Sequence, residues 1–219
     1  VKKLINQRTK MIIINTPHNP TGTVLKEEDM LALEKIVSNT DIVLISDEVY
    51  EHIIFDGLKH QSAAKYPGLA ERTFIVSSFG KTFHNTGWKV GYCIAPENLM
   101  AEFRKAHQFI VFCVNHPAQY ALAEYLKNKE HYLQLNNFYQ QKRDLFVDLV
   151  KDSRFEVIPS SGTYFQLLSY KNITQDADTD FAIELTKKHK IASIPVSVFY
   201  HYSVDEKVLR FCVAKKEET

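Results

Sequence analysis

The chain has 219 residues, 45% of them hydrophobic and 24% charged, with a formal net charge of +1. That length can bury a real core in one large domain or two smaller ones, and the near-neutral balance gives no reason to invoke nucleic acid or an anionic membrane. No apolar run approaches the roughly 20 residues that a membrane-spanning helix needs. No HExxH or CxxC spacing points to a metal. Cys93, Cys113 and Cys212 are odd in number and far apart in apolar settings, which reads as buried free thiols in a reducing, cytoplasmic compartment.

Met11–Ile14 is a short continuous apolar run and reads as a strand buried on both faces. A loop from Asn15 to Gly22 follows, then a helix over 26–38 with Met30, Leu33 and Val37 on one side. Ile42–Ile45 and Thr73–Ser77 read as two further buried strands, and a fourth covers about 90–95. Strands alternating with helices predict an α/β fold with a mainly parallel sheet. Beyond Pro96 helical patterns run over 97–109 and 117–127, with Pro117 suited to a first helical turn. A longer one spans 132–150, with Leu135, Phe138, Leu145 and Leu149 at helical spacing. Short strands at 155–159, 162–168, 192–196 and 208–214 then surround a helix near 180–189. The expected division is a partial large domain over 1–130, a connecting helix over 131–150 and a small α+β domain over 151–219.

Ligands of open α/β sheets bind beyond the carboxyl ends of the strands. Asn19, Asp47 and Lys81 each follow one of three successive buried strands. Taken singly, Lys81 is a solvated lysine, Asp47 a turn residue, Asn19 turn chemistry before Pro20 and Tyr50 a packed aromatic. Together they place three different chemistries on one rim. Lys81 sits on a Ser/Gly turn with a second cation, Lys89, eight residues on. A lysine amine captures carbonyl cofactors as Schiff bases, and a hydroxyl plus a cation suits a phosphate. That combination suggests pyridoxal phosphate. Arg210, inside the apolar run Val208–Val213, needs an anionic partner.

Asn19-Pro20-Thr21-Gly22, Ser46-Asp47-Glu48-Val49-Tyr50, Ser78-Phe79-Gly80-Lys81, Gly87-Trp88-Lys89-Val90-Gly91 and Arg210-Phe211 resemble, in order and spacing, the class I/II aminotransferases of fold type I. Lysine rather than arginine at position 89 resembles the branch of kynurenine and methionine/glutamine aminotransferases. So do Val114–Gln119, Phe138–Asp144, Gly162–Phe165 and Ile194–Phe199. The resemblance implies that Lys81 holds pyridoxal phosphate and later moves the substrate proton, and that Asp47 pairs with the ring nitrogen. It implies that Asn19 and Tyr50 bond the phenolic oxygen, that Ser78 and Lys89 hold the phosphate and that Arg210 grips the substrate carboxylate. Tyr164 and Phe165 border the substrate pocket in this reading, or simply pack.

The family's members are about twice this length, so the chain is expected to be a piece lacking mainly N-terminal sequence, from a homodimeric enzyme. Exposed apolar sheet and subunit-facing surface are expected in such a piece. Two other readings share much of the pattern. One is a C–S β-lyase using the same cofactor, and the other is the aminotransferase-like domain of a transcription regulator.

Overall fold

A computed structural model describes residues 1–202 and 204–219. They form two compact units, neither continuous in sequence. The first comprises Val1–Pro17, Leu25–His52 and Lys59–Leu135; the second comprises His18–Val24, Ile53–Leu58 and Asn136–Thr219.

In the first unit the elements are β1 (Met11–Asn15), α1 (Glu27–Val37), β2 (Val43–Asp47), α2 (Pro67–Ala70), β3 (Thr73–Ser78), α3 (Phe79–Thr82), β4 (Gly91–Ile94), α4 (Glu97–Ile110), α5 (His116–Tyr125) and α6 (Glu130–Leu133). The sheet runs β1-β2-β3-β4. Its first two pairings are parallel and the third is antiparallel. Helix α1 opens on Glu27, Glu28 and Asp29, which favour the positive end of its dipole, and Asp29 accepts from the backbone N–H of Lys26 at 2.9 Å. Met30, Leu33 and Val37 then fall on one side and pack with Leu44, Leu69, Ile12, Ile14 and Ile75.

Strand alternation puts Met11 and Ile13 on the opposite face, where Ile13 is 68% exposed. The expectation that β1 is buried on both faces is therefore wrong for this chain. Helix α1 covers one face only, and on the other the ring of Phe103 in α4 reaches Phe74 of β3, 6.2 Å between centroids, rather than β1. The end of α4 and the segment after it are also open: Phe109, Ile110 and Phe112 are more than 80% exposed. Cys113 is exposed as well, against the expectation of a buried thiol, while Cys93 and Cys212 are partly covered and all three are unpaired. Helix α5 starts as its sequence predicts, with Pro117 in the first turn and Asn115 accepting from the N–H of Ala118 at 2.9 Å. Its Ala118 and Leu122 pack on Val90, Phe79 and Phe83, so this helix backs the turn that carries Lys81.

The second unit contains α7 (Leu135–Val150, from Asn136 onward), β5 (Glu156–Ile158), β6 (Phe165–Ser169), α8 (Asp178–Glu184), β7 (Ile194–Pro195) and β8 (Val208–Cys212). Its sheet is antiparallel in the order β5-β6-β8-β7. The helix expected over 132–150 is broken at Gln134 into α6 and α7. The buried side of α7 also differs from the expected stripe. Leu135 is buried, but Phe138, Leu145 and Leu149 are exposed, and the other apolar side chains facing inward are Tyr139, Phe146 and Val150, the latter two packed on the Leu168–Phe211 core. The apolar positions of this helix spread over more than one side, so spacing alone did not choose the buried one. Helix α8 passes into a π-helical turn over Leu185–His189.

Two polar features organise this unit's loops. Arg143 makes a forked pair with Asp56 at 2.9 and 2.7 Å and also donates to the carbonyl of Ser160 at 2.8 Å. Gly22 has φ +69°, and a Cβ there would lie 2.1 Å from Oγ of Ser160, so the position requires glycine on both counts. Among the described residues no helix is long and apolar enough to cross a membrane.

Replacing the fully buried Leu44 by alanine is expected to cost about 2–5 kcal/mol of unfolding free energy. Ile13→Ala should change it by no more than about 0.5 kcal/mol, with urea unfolding of the chain as the measurement.

Candidate active site

Parallel pairing delivers the ends of β1, β2 and β3 to one edge of the first unit's sheet. Asp47, the last residue of β2, lies in register between Asn15 and Val76. Its backbone carbonyl accepts from the side-chain amide of Asn15 and the N–H of Thr16, both at 3.0 Å. Its carboxylate accepts from the N–H of Val49 at 3.2 Å. Burial pushes the Asp47 carboxyl above its ordinary pKa; the Val49 N–H opposes this, the neighbouring Glu48 adds to it and the charge of Lys81 works against it. Tyr50, three residues on, is buried.

Lys81 lies on α3, the single helical turn that follows β3 directly. Ser78 begins that turn by accepting from the N–H of Gly80 at 3.2 Å. Gly80 is needed because a Cβ would meet Cα of Thr86 at 2.9 Å. The chain then returns through Lys89, which takes a left-handed conformation, into β4, where Gly91 pairs with Ser78. A Cβ on Gly91 would come within 2.5 Å of the carbonyl of Ser77. Antiparallel β4 thus starts at the edge where β3 ends. Asp47, Tyr50, Ser78, Lys81 and Lys89 all stand along that edge, supplying a carboxylate, a phenol, a hydroxyl and two amines.

The second unit holds the other sequence-predicted residues. Arg210 in β8 donates through Nη1 to the amide oxygen of Asn19 at 2.6 Å. Its guanidinium lies over the ring of Phe165 at 4.0 Å and over that of Phe199 at 5.4 Å, so the charge meets two aromatic faces. Tyr164 packs between Phe165 and Tyr139, with ring centroids 4.8 and 5.6 Å away.

The chain matches the family described as Aminotransferase class I and II over residues 1–219. It belongs to that family. Methionine aminotransferase of Escherichia coli K12 is 49% identical over 217 residues, covering 99% of this chain and 56% of that protein. Kynurenine–oxoglutarate transaminase of Dictyostelium discoideum is 35% identical, covering 97% of this chain and 54% of that protein. The crystal structure of YbdL from Escherichia coli, reported with a methionine aminotransferase function, superposes with a TM-score of 0.96 at 49% identity, over 99% of this chain and 58% of that one. The chain thus spans little more than half the length of these relatives, and its fold is that of the fold type I aminotransferases.

Sequence reasoning about this aminotransferase chain missed a layer of polar residues under Asp47 and Tyr50. Glu48 is buried, and its carboxylate accepts from Oγ of Ser46 at 2.8 Å, the N–H of Ala63 at 2.9 Å and Nε2 of His60 at 2.7 Å. Burial pushes the Glu48 carboxyl up, but His60 and Ala63 more than offset this and leave its pKa below the ordinary value. Glu51 accepts from the hydroxyl of Tyr92 at 2.5 Å and that of Ser77 at 3.3 Å. Burial and Glu51 together push the Tyr92 phenol up to about 12, so it remains a donor. The signal available in the sequence was the pair of acids flanking Val49–Tyr50; apart from Ser46, their partners lie 12 to 41 residues away and carried none.

Asp47→Asn removes a carboxylate whose charged form burial disfavours. The folded pKa lies above the unfolded one, so the charge costs stability above that pKa, and the cost fades as the folded carboxyl becomes protonated. The variant chain without cofactor is expected to unfold at higher urea than the wild type near pH 7. The gap should close as pH falls toward about 4, measured as urea midpoints across that range.

Proposed function

We propose that the protein containing this chain is a pyridoxal-phosphate-dependent transaminase that moves the amino group of a hydrophobic or sulfur-bearing amino acid to a 2-oxo acid. The observation that carries the reading is the placement of Asp47 at the end of β2 and of Lys81 on the turn that follows the adjacent parallel β3, near enough that the lysine charge shifts the aspartate. The donor set fits the cofactor group by group. A half-buried carboxylate suits a pyridinium nitrogen, an amine suits an aldehyde, and a hydroxyl with an ammonium suits a phosphate. When bound, pyridoxal phosphate would supply the aldehyde that captures an amine and a ring that accepts the electron pair released at the substrate Cα.

The chain's own residues would do the rest. Lys81 Nζ would hold the aldehyde and, once displaced by the substrate amine, take the proton from Cα and return it on the cofactor side. Asp47 would keep the ring nitrogen protonated, its anionic form stabilised by that partner as burial alone does not stabilise it. Tyr50 and the amide of Asn19 would donate to the phenolic oxygen. Ser78 and Lys89 would hold the phosphate. Arg210, aligned by Asn19 and by the rings of Phe165 and Phe199, would take the substrate α-carboxylate with its two-pronged geometry. Tyr164 would stand near the substrate side chain.

Methionine is the proposed donor, supported by the 49% identity to a methionine aminotransferase. The kynurenine relative keeps aromatic donors in view. A homodimer is proposed, supported by the open apolar side chains Met11, Ile13, Phe109, Ile110 and Phe112. A reducing, cytoplasmic setting is supported by three unpaired cysteines. The relatives described above are transaminases, which favours transfer over the C–S β-lyase and transcription-regulator readings.

The test is a panel of amino donors with one 2-oxo acid acceptor, run on the intact protein. Methionine or another hydrophobic donor should give transfer, and pyruvate from β-elimination as the main product would replace the reading with the lyase. Lys81→Ala should abolish borohydride-fixable pyridoxal incorporation, read by mass, together with turnover. Arg210→Lys should lower kcat/KM by about 10- to 100-fold through loss of the forked carboxylate contact.

A further inference from the structure

The polar layer under the cofactor edge has a regular relation to the residues above it. Ser46 and Glu48 flank Asp47, Glu51 follows Tyr50, and Ser77 precedes Ser78. In β2 and β3 the alternation of side chains therefore puts Ser46 and Ser77 on the face opposite Asp47 and Ser78. Tyr92 joins them, since it pairs with Ser77 across β3 and β4.

Glu48 and Glu51 bracket the two residues Val49 and Tyr50, and the turn is closed by the N–H of Glu51 on the carbonyl of Glu48 at 2.9 Å. Each acid anchors the turn to a different place. Glu48 is held by His60 and Ala63 of the following loop and by Ser46 of β2, and Glu51 by Ser77 of β3 and Tyr92 of β4.

Ligand-type atoms of Glu48, Glu51 and His60 lie within 4.8 Å of one another. Both oxygens of Glu48 and one of Glu51 already accept hydrogen bonds, so the arrangement is that of a hydrogen-bonded clamp. Two buried or half-buried carboxylates are an expensive way to fill space, and apolar side chains would pack there at lower cost. What the acids add is direction, because each bond fixes a donor and an acceptor at one distance and angle.

We infer that Glu48 and Glu51, with His60, Ser77 and Tyr92, are positioning residues that set where Asp47 and Tyr50 stand relative to the cofactor. This rests on the pyridoxal phosphate reading above. The layer touches neither cofactor nor substrate. It acts through the Asp47–Glu51 turn, where a shift of about 1 Å is enough to degrade a catalytic geometry severely.

The test uses the intact protein with pyridoxal phosphate as the probe. Tyr92→Phe removes only the hydroxyl donor and keeps the ring, Glu51→Ala removes the acceptor, and Glu51→Gln keeps an acceptor oxygen. For each the cofactor dissociation constant, the pH midpoint of the bound cofactor's absorbance and the Tm are measured. Tyr92→Phe and Glu51→Ala are expected to weaken cofactor binding by about 10-fold and to move the absorbance midpoint, with Glu51→Gln restoring both to near the wild-type values. Wild-type affinity and midpoint in Tyr92→Phe, whatever its Tm, would overturn the inference while leaving the transaminase reading intact. A wild-type protein that takes up no pyridoxal phosphate would overturn both.

Discussion

Parallel pairing of β1, β2 and β3 is the constraint on which the first unit's chemistry depends. Because the strands run the same way and in register, Asn15, Asp47 and Val76 come level with one another at one edge. The loops that follow β2 and β3 must therefore leave from that edge. Antiparallel β4 then returns to it, so Lys89 and Gly91 arrive beside Ser78. A single antiparallel exchange between β2 and β3 would send Asp47 and Lys81 to opposite ends of the sheet. Helix α1, packed by Met30, Leu33 and Val37 on one face, holds the parallel pair together.

That edge is built at a cost to the chain itself. Burial works against a charge on Asp47, and the adjacent Glu48 works in the same direction. The N–H of Val49 and, to a smaller extent, Lys81 offset only part of this. In the proposed reading a pyridinium cation beside Asp47 would offset this cost, as expected where a residue serves binding rather than stability. The reverse face shows the opposite economy. Glu48 has three hydrogen-bond donors, and Glu51 takes the hydroxyls of Tyr92 and Ser77. One face of the same few residues disfavours the charge of Asp47, and the other is tied together by hydrogen bonds to Glu48 and Glu51.

Legibility in the sequence followed the range of the signals. Strands and helices came from local periodicity, and the start of α5 at Pro117 came from local chemistry. Asp47 and Lys81 could be placed because each lies at or just beyond the end of a strand. The side of α7 that turns inward could not, because apolar residues lie on more than one side and only the sheet beneath selects Tyr139, Phe146 and Val150. The exposure of Ile13 and Cys113 was hidden for a similar reason: an apolar residue shows what could be buried, and only its neighbours decide whether it is. His60 and Tyr92 carried no motif, and they matter through acids 12 and 41 residues away.

The sequence by itself determined the alternation of elements, the family motifs and the set of reactive side chains, since these depend on residue type and short spacing. Only the tertiary structure decided which of them share an edge or a unit. Asn19 follows β1 in the chain, yet it belongs to the second unit, where its amide oxygen receives Arg210 from 191 residues away. Hydrogen bonds of that span depend on strand direction and register that residue order does not encode locally.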